Sequence, residues 1–189
     1  HSRERIELIR SNVLKYQIPM FYVNHYGSQT DIVFDGGSVV MSANGNVYDE
    51  MPYFEECVRT YQLHDVILGQ QSREQTKEKI DLIYRALVIG IKDYFNKLGF
   101  KKAILGLSGG IDSAITTTLA VDALGAENVM VLLMPSQFSS EGSIQDAKEL
   151  AINLGIQYEI IPIQDVYKSY EKVLQPYFEG LTPNVTEEN

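Results

Sequence analysis

Three things are scarce in this chain of 189 residues, and each scarcity excludes something. There is one cysteine, Cys57, so no internal disulfide can form and a reducing cytosol is the default compartment. No apolar run approaches the ~18 residues of a membrane span. Basic residues are few: 16 Lys and Arg against 25 Asp and Glu leave a net charge of −9. A general nucleic-acid binder would show a basic patch or stripe instead. The acidic balance still allows a bound nucleotide, because a few backbone N–H groups and a metal ion can hold phosphates locally. Internal repeats and low-complexity tracts are absent, and no stretch is depleted enough of apolar residues to read as disordered. What is present is an apolar fraction of 44%, enough for a core in one large domain or two small ones. The chain opens at His1 on a pattern already helical and stops at Asn189 on a polar one, so a piece of a longer protein is the expectation.

Two textures divide it, with the boundary expected near Leu68: residues 1–67 and 68–189. In the first, Ile6, Ile9, Val13 and Tyr16 recur at helical spacing. Short strands follow in "MFYVNHYG" and "IVFDGGSVVMSANGNVYDEM", and their succession suggests an antiparallel or mixed sheet. Asn44-Gly45 between Val39–Met41 and Val47-Tyr48 predicts a hairpin with a two-residue type I′ turn. From Tyr61 to Gln71 the pattern loses its period. Ser72 with Gln75 reads as a capping box, and Ile80, Ile83, Tyr84, Leu87, Ile91, Tyr94 and Leu98 mark one face of a helix that Gly99 ends.

The second part alternates. Strands are predicted at 103–107, 129–134 and 158–162, and helices at 113–124, 143–154 and 166–177. Strands apolar on both faces, separated by amphipathic helices, predict an α/β fold with a parallel sheet covered by helices on each side.

Between the first of those strands and its helix stands "LGLSGGIDSAITT". Gly109 and Gly110 lack Cβ atoms, so phosphate oxygens can approach their backbone N–H groups. Ser108 and Ser113 add hydroxyl donors, and the helix points its positive end at the same spot. Asp112 would repel a phosphate unless a divalent cation stands between, and Mg²⁺ is the natural choice. The loop lacks the lysine of G-x-x-x-x-G-K-[ST] and is not G-x-G-x-x-G. The bland alternative is a tight turn whose serines and aspartate cap the helix. Capping accounts for one of Ser108, Asp112 and Ser113, not for all three.

Ser108 to Ser113 resembles the SGGxDS pyrophosphate loop of the ATP pyrophosphatases, which split ATP between its α and β phosphates. The span "KKAILGLSGGIDSAITTTLAVDALGAENVMVLLMPSQFSSEGSIQDAKELAINLGI" resembles the glutamine-dependent NAD synthetase family throughout, and its segment "MPSQFSSEGS" and the separate closing "TEEN" are both similar to that family's. Upstream, "FYVNHYGSQTDIVFDGGSVVMSANGNV" resembles the last strands of the carbon–nitrogen hydrolase (nitrilase-like) glutaminase domain that precedes the synthetase domain there. The resemblance implies the end of a nitrilase-like α/β sandwich followed by the start of a Rossmann-like ATP-pyrophosphatase domain, both incomplete. It implies ATP and Mg²⁺ as cofactors, deamido-NAD and glutamine as substrates, and a cytoplasmic homo-oligomer that binds neither nucleic acid nor membrane. Carried over by position, Gly106, Leu107, Ser108, Gly109, Gly110, Ile111, Asp112 and Ser113 would line the ATP site, and Asp112 would hold the metal. Asn189 would touch deamido-NAD.

Leu133 and Met134, at the carboxyl end of the next strand where ligands bind, either flank adenine as part of the ATP site or are plain core. Ser139, Ser140 and Glu141 are ligand contacts or merely the start of a capped helix. The glutaminase nucleophile is expected before His1. Cys57 follows a hairpin with no lysine or histidine beside it in sequence, which is no nucleophile context. His25 and His64 stand without metal-ligand spacing. Two alternatives remain open at this point: another amidating ATP pyrophosphatase such as a GMP synthetase, and a non-catalytic adenine-nucleotide-binding module.

Overall fold

The computed structural model describes residues 2–30, 32–69, 72, 73, 75 and 78–177. The chain divides into two compact units, His1–Gly99 and Phe100–Asn189. Among the described residues no helix is long and apolar enough to cross a membrane.

The first unit opens with helix α1 (Ser2–Tyr16), whose apolar stripe puts Ile9 and Val13 into a small core with Val39, Met41 and Val47. Strands β1 (Met20–Tyr22), β4 (Val39–Met41) and β5 (Val47–Glu50) form an antiparallel sheet in the order β1-β4-β5. Strands β2 (Tyr26–Gln29) and β3 (Ile32–Asp35) pair separately as a hairpin. The β4–β5 turn is not the two-residue type I′ form. Its bonds run from Gly45 N–H to Ser42 C=O (2.9 Å) and from Ser42 N–H to Asn46 C=O (2.9 Å), and only Gly45, at φ 84°, has positive φ. Three residues bridge the strands, and the glycine supplies the left-handed residue of a bulge.

A short helix α2 (Leu63–Leu68) occupies the stretch without period, held by the buried Val66. Ser72 and Gln75 do not form a capping box, because helix α3 (Lys79–Leu98) begins four residues beyond Gln75. Gln75 is engaged elsewhere. Its backbone N–H donates to the carboxylate of Glu50 (2.9 Å) and its side-chain amide to the Glu50 carbonyl (3.2 Å). Glu50 is 2% exposed and also accepts the Tyr53 hydroxyl at 2.7 Å. Next to it, the buried Asp49 takes Arg59 on both oxygens (2.6 Å) and the Tyr61 hydroxyl (2.9 Å). Burial and the bond to the Asp49 carboxylate push the Tyr61 phenol up to about 12. Gly99 closes α3 in the left-handed conformation, as expected.

In the second unit, strands β6 (Ala103–Gly106), β7 (Val129–Leu133) and β8 (Gln157–Ile160) are parallel and lie in sequence order. Helices α4 (Ile111–Leu124) and α5 (Glu141–Asn153) make the crossovers, and α6 (Gln164–Leu174) follows β8. One expectation fails here. Val129, Val131 and Leu133 share a single core with Ala120 of α4 and Ala147 and Ala151 of α5, so both helices cover the same face. Successive crossovers of one hand in one direction must do this. The other face keeps Ile104 67% exposed.

Candidate functional site

Strand β6 ends at Gly106, and Leu107 is still core: it is buried, and its N–H donates to the Leu132 carbonyl at 3.0 Å. The chain then leaves the sheet through Ser108, Gly109 and Gly110 and enters α4. The expected turn from strand to helix is in place.

The serines close on each other. Ser108 Oγ and Ser113 Oγ lie 3.0 Å apart, the Ser108 N–H donates to Ser113 Oγ (3.2 Å), and Ser113 Oγ donates to the Gly110 carbonyl (3.0 Å). The Gly110 N–H donates to Ser108 Oγ at 3.3 Å. These bonds fix the loop with its own side chains. They do not cap α4, whose N-cap Gly110 has no side-chain cap bond. The first helical bond runs from Ala114 N–H to the Gly110 carbonyl. The amides of Ile111, Asp112 and Ser113 therefore have no carbonyl within the helix, and they stand at its positive end.

The two glycines have different reasons. Gly109 sits at φ 82°, and a Cβ there would lie 2.2 Å from the backbone oxygen of Ser143 in α5. It is glycine because a helix passes against it. Gly110 has an ordinary φ of −84°, and a Cβ would meet nothing closer than Ser108 Oγ at 3.4 Å. Only at Gly110 is the space beside the backbone open. Sequence patterning could not separate the two, since the Ser143 wall comes from 34 positions away.

Asp112 is exposed in the first turn of α4, and among the described residues no hydrogen bond or ion pair engages its carboxylate. No group of three or more His, Cys, Asp or Glu capable of holding a metal occurs among the described residues. One exposed carboxylate beside two hydroxyls fits Mg²⁺ nonetheless, because that ion keeps waters and takes one or two carboxylates plus substrate phosphates.

Met134 stands at the end of β7, 46% exposed, and a Cβ on Gly106 would lie 3.3 Å from its methyl group. The two strand ends are thus neighbours. Leu133 is 2% exposed and belongs to the core. Ser140 is the N-cap of α5 and accepts the Ser143 N–H at 3.0 Å, so the capping reading holds for it. Ser136 and Ser139 brace their own loop through bonds of 3.1 and 3.2 Å. Asn189 lies outside the described residues. In the first unit Cys57 sits partly exposed on an irregular segment after β5, and His25 stacks on Phe34 at 3.8 Å between ring centres.

Known proteins share this frame. Residues 83–189 match the NAD synthase family. A glutamine-dependent NAD(+) synthetase of Synechocystis is 41% identical over 98% of this chain. A solved glutamine-dependent NAD+ synthetase of Acinetobacter baumannii, in complex with adenosine diphosphate, superposes over 98% of the chain with a TM-score of 0.88 and 34% identity. An NH3-dependent NAD synthetase of Campylobacter jejuni superposes over 59% of the chain and 46% of its own, with a TM-score of 0.51 and 33% identity. The chain spans about a third of the length of the glutamine-dependent relatives: 34% of the Synechocystis protein and 36% of the Acinetobacter one. The family match sets aside another amidating ATP pyrophosphatase. With more than half of its residues inside that match, the chain belongs to the NAD synthase family.

Proposed function

We propose that this chain is the junction of a glutamine-dependent NAD synthetase. Residues 1–67 are the end of a nitrilase-like glutaminase domain, and residues 68–189 are the start of the ATP-pyrophosphatase domain. The enzyme amidates the nicotinate carboxylate of deamido-NAD. ATP adenylates that carboxylate, pyrophosphate leaves, and ammonia from glutamine displaces AMP. The observation that carries this reading is the loop from Ser108 to Ser113: amides without helical partners, an open flank at Gly110, and a carboxylate that no group among the described residues engages.

The chemistry explains why such a loop is needed. A carboxylate is a poor electrophile, and adenylation converts it to a mixed anhydride with AMP as leaving group. Negative charge develops on the departing pyrophosphate in that step. The amides of Ile111, Asp112 and Ser113 are already oriented to receive it, without reorganisation at the moment of reaction. Ser108 and Ser113 hold the loop in that shape and can turn their hydroxyl protons to phosphate oxygens. The Asp112 carboxylate would hold Mg²⁺, which when bound offsets the phosphate charge. Gly106 and Met134 line the approach from the strand ends, and Asn189 contacts deamido-NAD. The single Cys57 supports a cytoplasmic setting, and the open face of the β6-β7-β8 sheet supports a homo-oligomer.

The test is product analysis on the full-length enzyme. Incubated with ATP, Mg²⁺, deamido-NAD and ammonium, it should form NAD, AMP and pyrophosphate in equal amounts. ADP in place of AMP, or no turnover with any amide donor, would overturn the assignment.

A further inference from the structure

The match to the NAD synthase family begins at residue 83, inside α3, yet this helix packs on the hairpin that precedes it in the chain. The attachment is specific. Ser28 in β2 is 7% exposed and faces Val33 of β3 across the hairpin. The Asp93 carboxylate of α3 accepts the Ser28 N–H at 2.6 Å, and the Lys97 ammonium donates to the Ser28 carbonyl. Asp93 and Lys97 are four residues apart, so one helix face presents an acceptor and a donor together. They satisfy the outward N–H and C=O of a strand edge that the two-stranded hairpin leaves unpaired. The neighbouring Gly27 is shaped to admit them. It sits at φ 114°, and a Cβ there would lie 2.9 Å from the Asp93 carboxylate oxygen.

We infer that Asp93 and Lys97 are positioning residues that couple glutamine hydrolysis to amidation, by locking the leading helix of the synthetase portion onto the β2–β3 hairpin. The inference rests on the function proposed above. Two features favour coupling over mere stability. First, the clamp joins a helix inside the family match to a hairpin outside it. The NH3-dependent relative superposes over only 59% of the chain, whereas the glutamine-dependent one superposes over 98%. Second, α3 leads without a further helix into β6 and the loop at Ser108, so the clamped helix and the candidate phosphate loop are consecutive in the chain. Asp93 and Lys97 touch neither nucleotide nor glutamine in this assignment. Their effect is on how ammonia made by one half is used by the other.

The test compares nitrogen donors in the full-length enzyme carrying Asp93→Ala or Lys97→Met. NAD formation from free ammonium should stay within about twofold of wild type. Glutamine-supported NAD formation should fall about tenfold, since small misplacements remote from the chemistry carry penalties of that order or more. Glutamate released per NAD formed should rise in step. Asp93→Asn keeps an acceptor oxygen and Lys97→Arg keeps a donor, so both should restore the ratio toward wild type. Parallel loss of both rates, or no change in the glutamate-to-NAD ratio, would overturn the coupling role. If Asp93→Ala does not fold, Lys97→Met, which leaves the carboxylate bond in place, carries the decision. Failure of the wild-type enzyme to make NAD from either donor would instead overturn the functional reading beneath it.

Discussion

The two units treat their charged and polar side chains in opposite ways. In the first, Asp35 is held by Arg5 (2.9 Å) and Asn24 (2.8 Å), Asp49 by Arg59 and Tyr61, Glu50 by Tyr53 and Gln75, and Asp93 by Ser28. Each of these four carboxylates has a donor, and the low dielectric around Asp49 and Glu50 makes that a condition of folding. In the second, the core cluster under the parallel sheet is apolar, and the serines of the loop after β6 bond to one another and to their own backbone. Asp112 has no donor among the described residues. Paired acids are committed to structure; an acid in the first turn of a helix, with no partner among the described residues, is available to a ligand. The contrast separates scaffold from site without reference to any relative.

The sharpest way to break the comparison is at the glycines. Gly109→Ala should lower stability by roughly 3 kcal/mol, because it combines a strained φ with a clash against the Ser143 backbone. It should also abolish AMP formation, while Gly110→Ala should leave the melting temperature nearly unchanged and weaken ATP binding alone. Calorimetry with and without ATP and Mg²⁺ separates the two effects. A stable Gly109→Ala variant would refute the close approach of α5.

Asp112→Asn should come next. The fold should be intact, since no hydrogen bond or ion pair among the described residues uses that charge. Pyrophosphate release with ammonium as donor should drop by roughly a hundredfold, corresponding to about 3 kcal/mol of transition-state stabilisation. A wild-type rate would remove the metal role from this residue.

The paired acids yield a pH prediction of smaller size. Tyr61 holds its proton in the folded protein up to about 12, above the ordinary value of 10 in the unfolded chain. Between those values the folded state binds the extra proton, so stability is fully present below about pH 10 and declines as pH rises toward 12. Tyr61→Phe should flatten that decline in urea titrations run at successive pH values. An unchanged slope would mean that Asp49 does not hold the phenol. Least of all should change with Cys57→Ser: glutamine-supported NAD formation should stay within a few-fold of wild type. A variant that kept the ammonium-dependent rate and lost the glutamine-dependent one would make Cys57 the nucleophile.

How much of this was legible in the sequence depended on the range over which each feature is determined. Helix α3 and its Gly99 stop, the β-α alternation from Ala103 onward, and the strand-to-helix turn at Ser108 all follow from periods and residue types a few positions apart. The failures are of two kinds. Local chemistry was overridden where Gln75 bonds Glu50 instead of capping α3, and where a three-residue turn replaced the type I′ form at Asn44-Gly45. Long-range placement was invisible: α4 and α5 share one face of the sheet because of strand order, and the Ser143 wall at Gly109 comes from another helix. In the candidate site, the serines, Asp112 and the open flank could be anticipated from residue types. The division of labour between the two glycines could not, and neither could the grip of Asp93 and Lys97 on Ser28, 65 and 69 positions away.

That grip has a use for the spectroscopist. The Ser28 amide lies on the outer edge of a two-stranded hairpin, a place where a proton ordinarily trades with solvent almost at once. Here it is held by a carboxylate on another element, so it can exchange only when α3 lifts away. Deuterium uptake at this one amide therefore times the opening of the helix, and its protection factor reads out the free energy of that opening against the rest of the first unit.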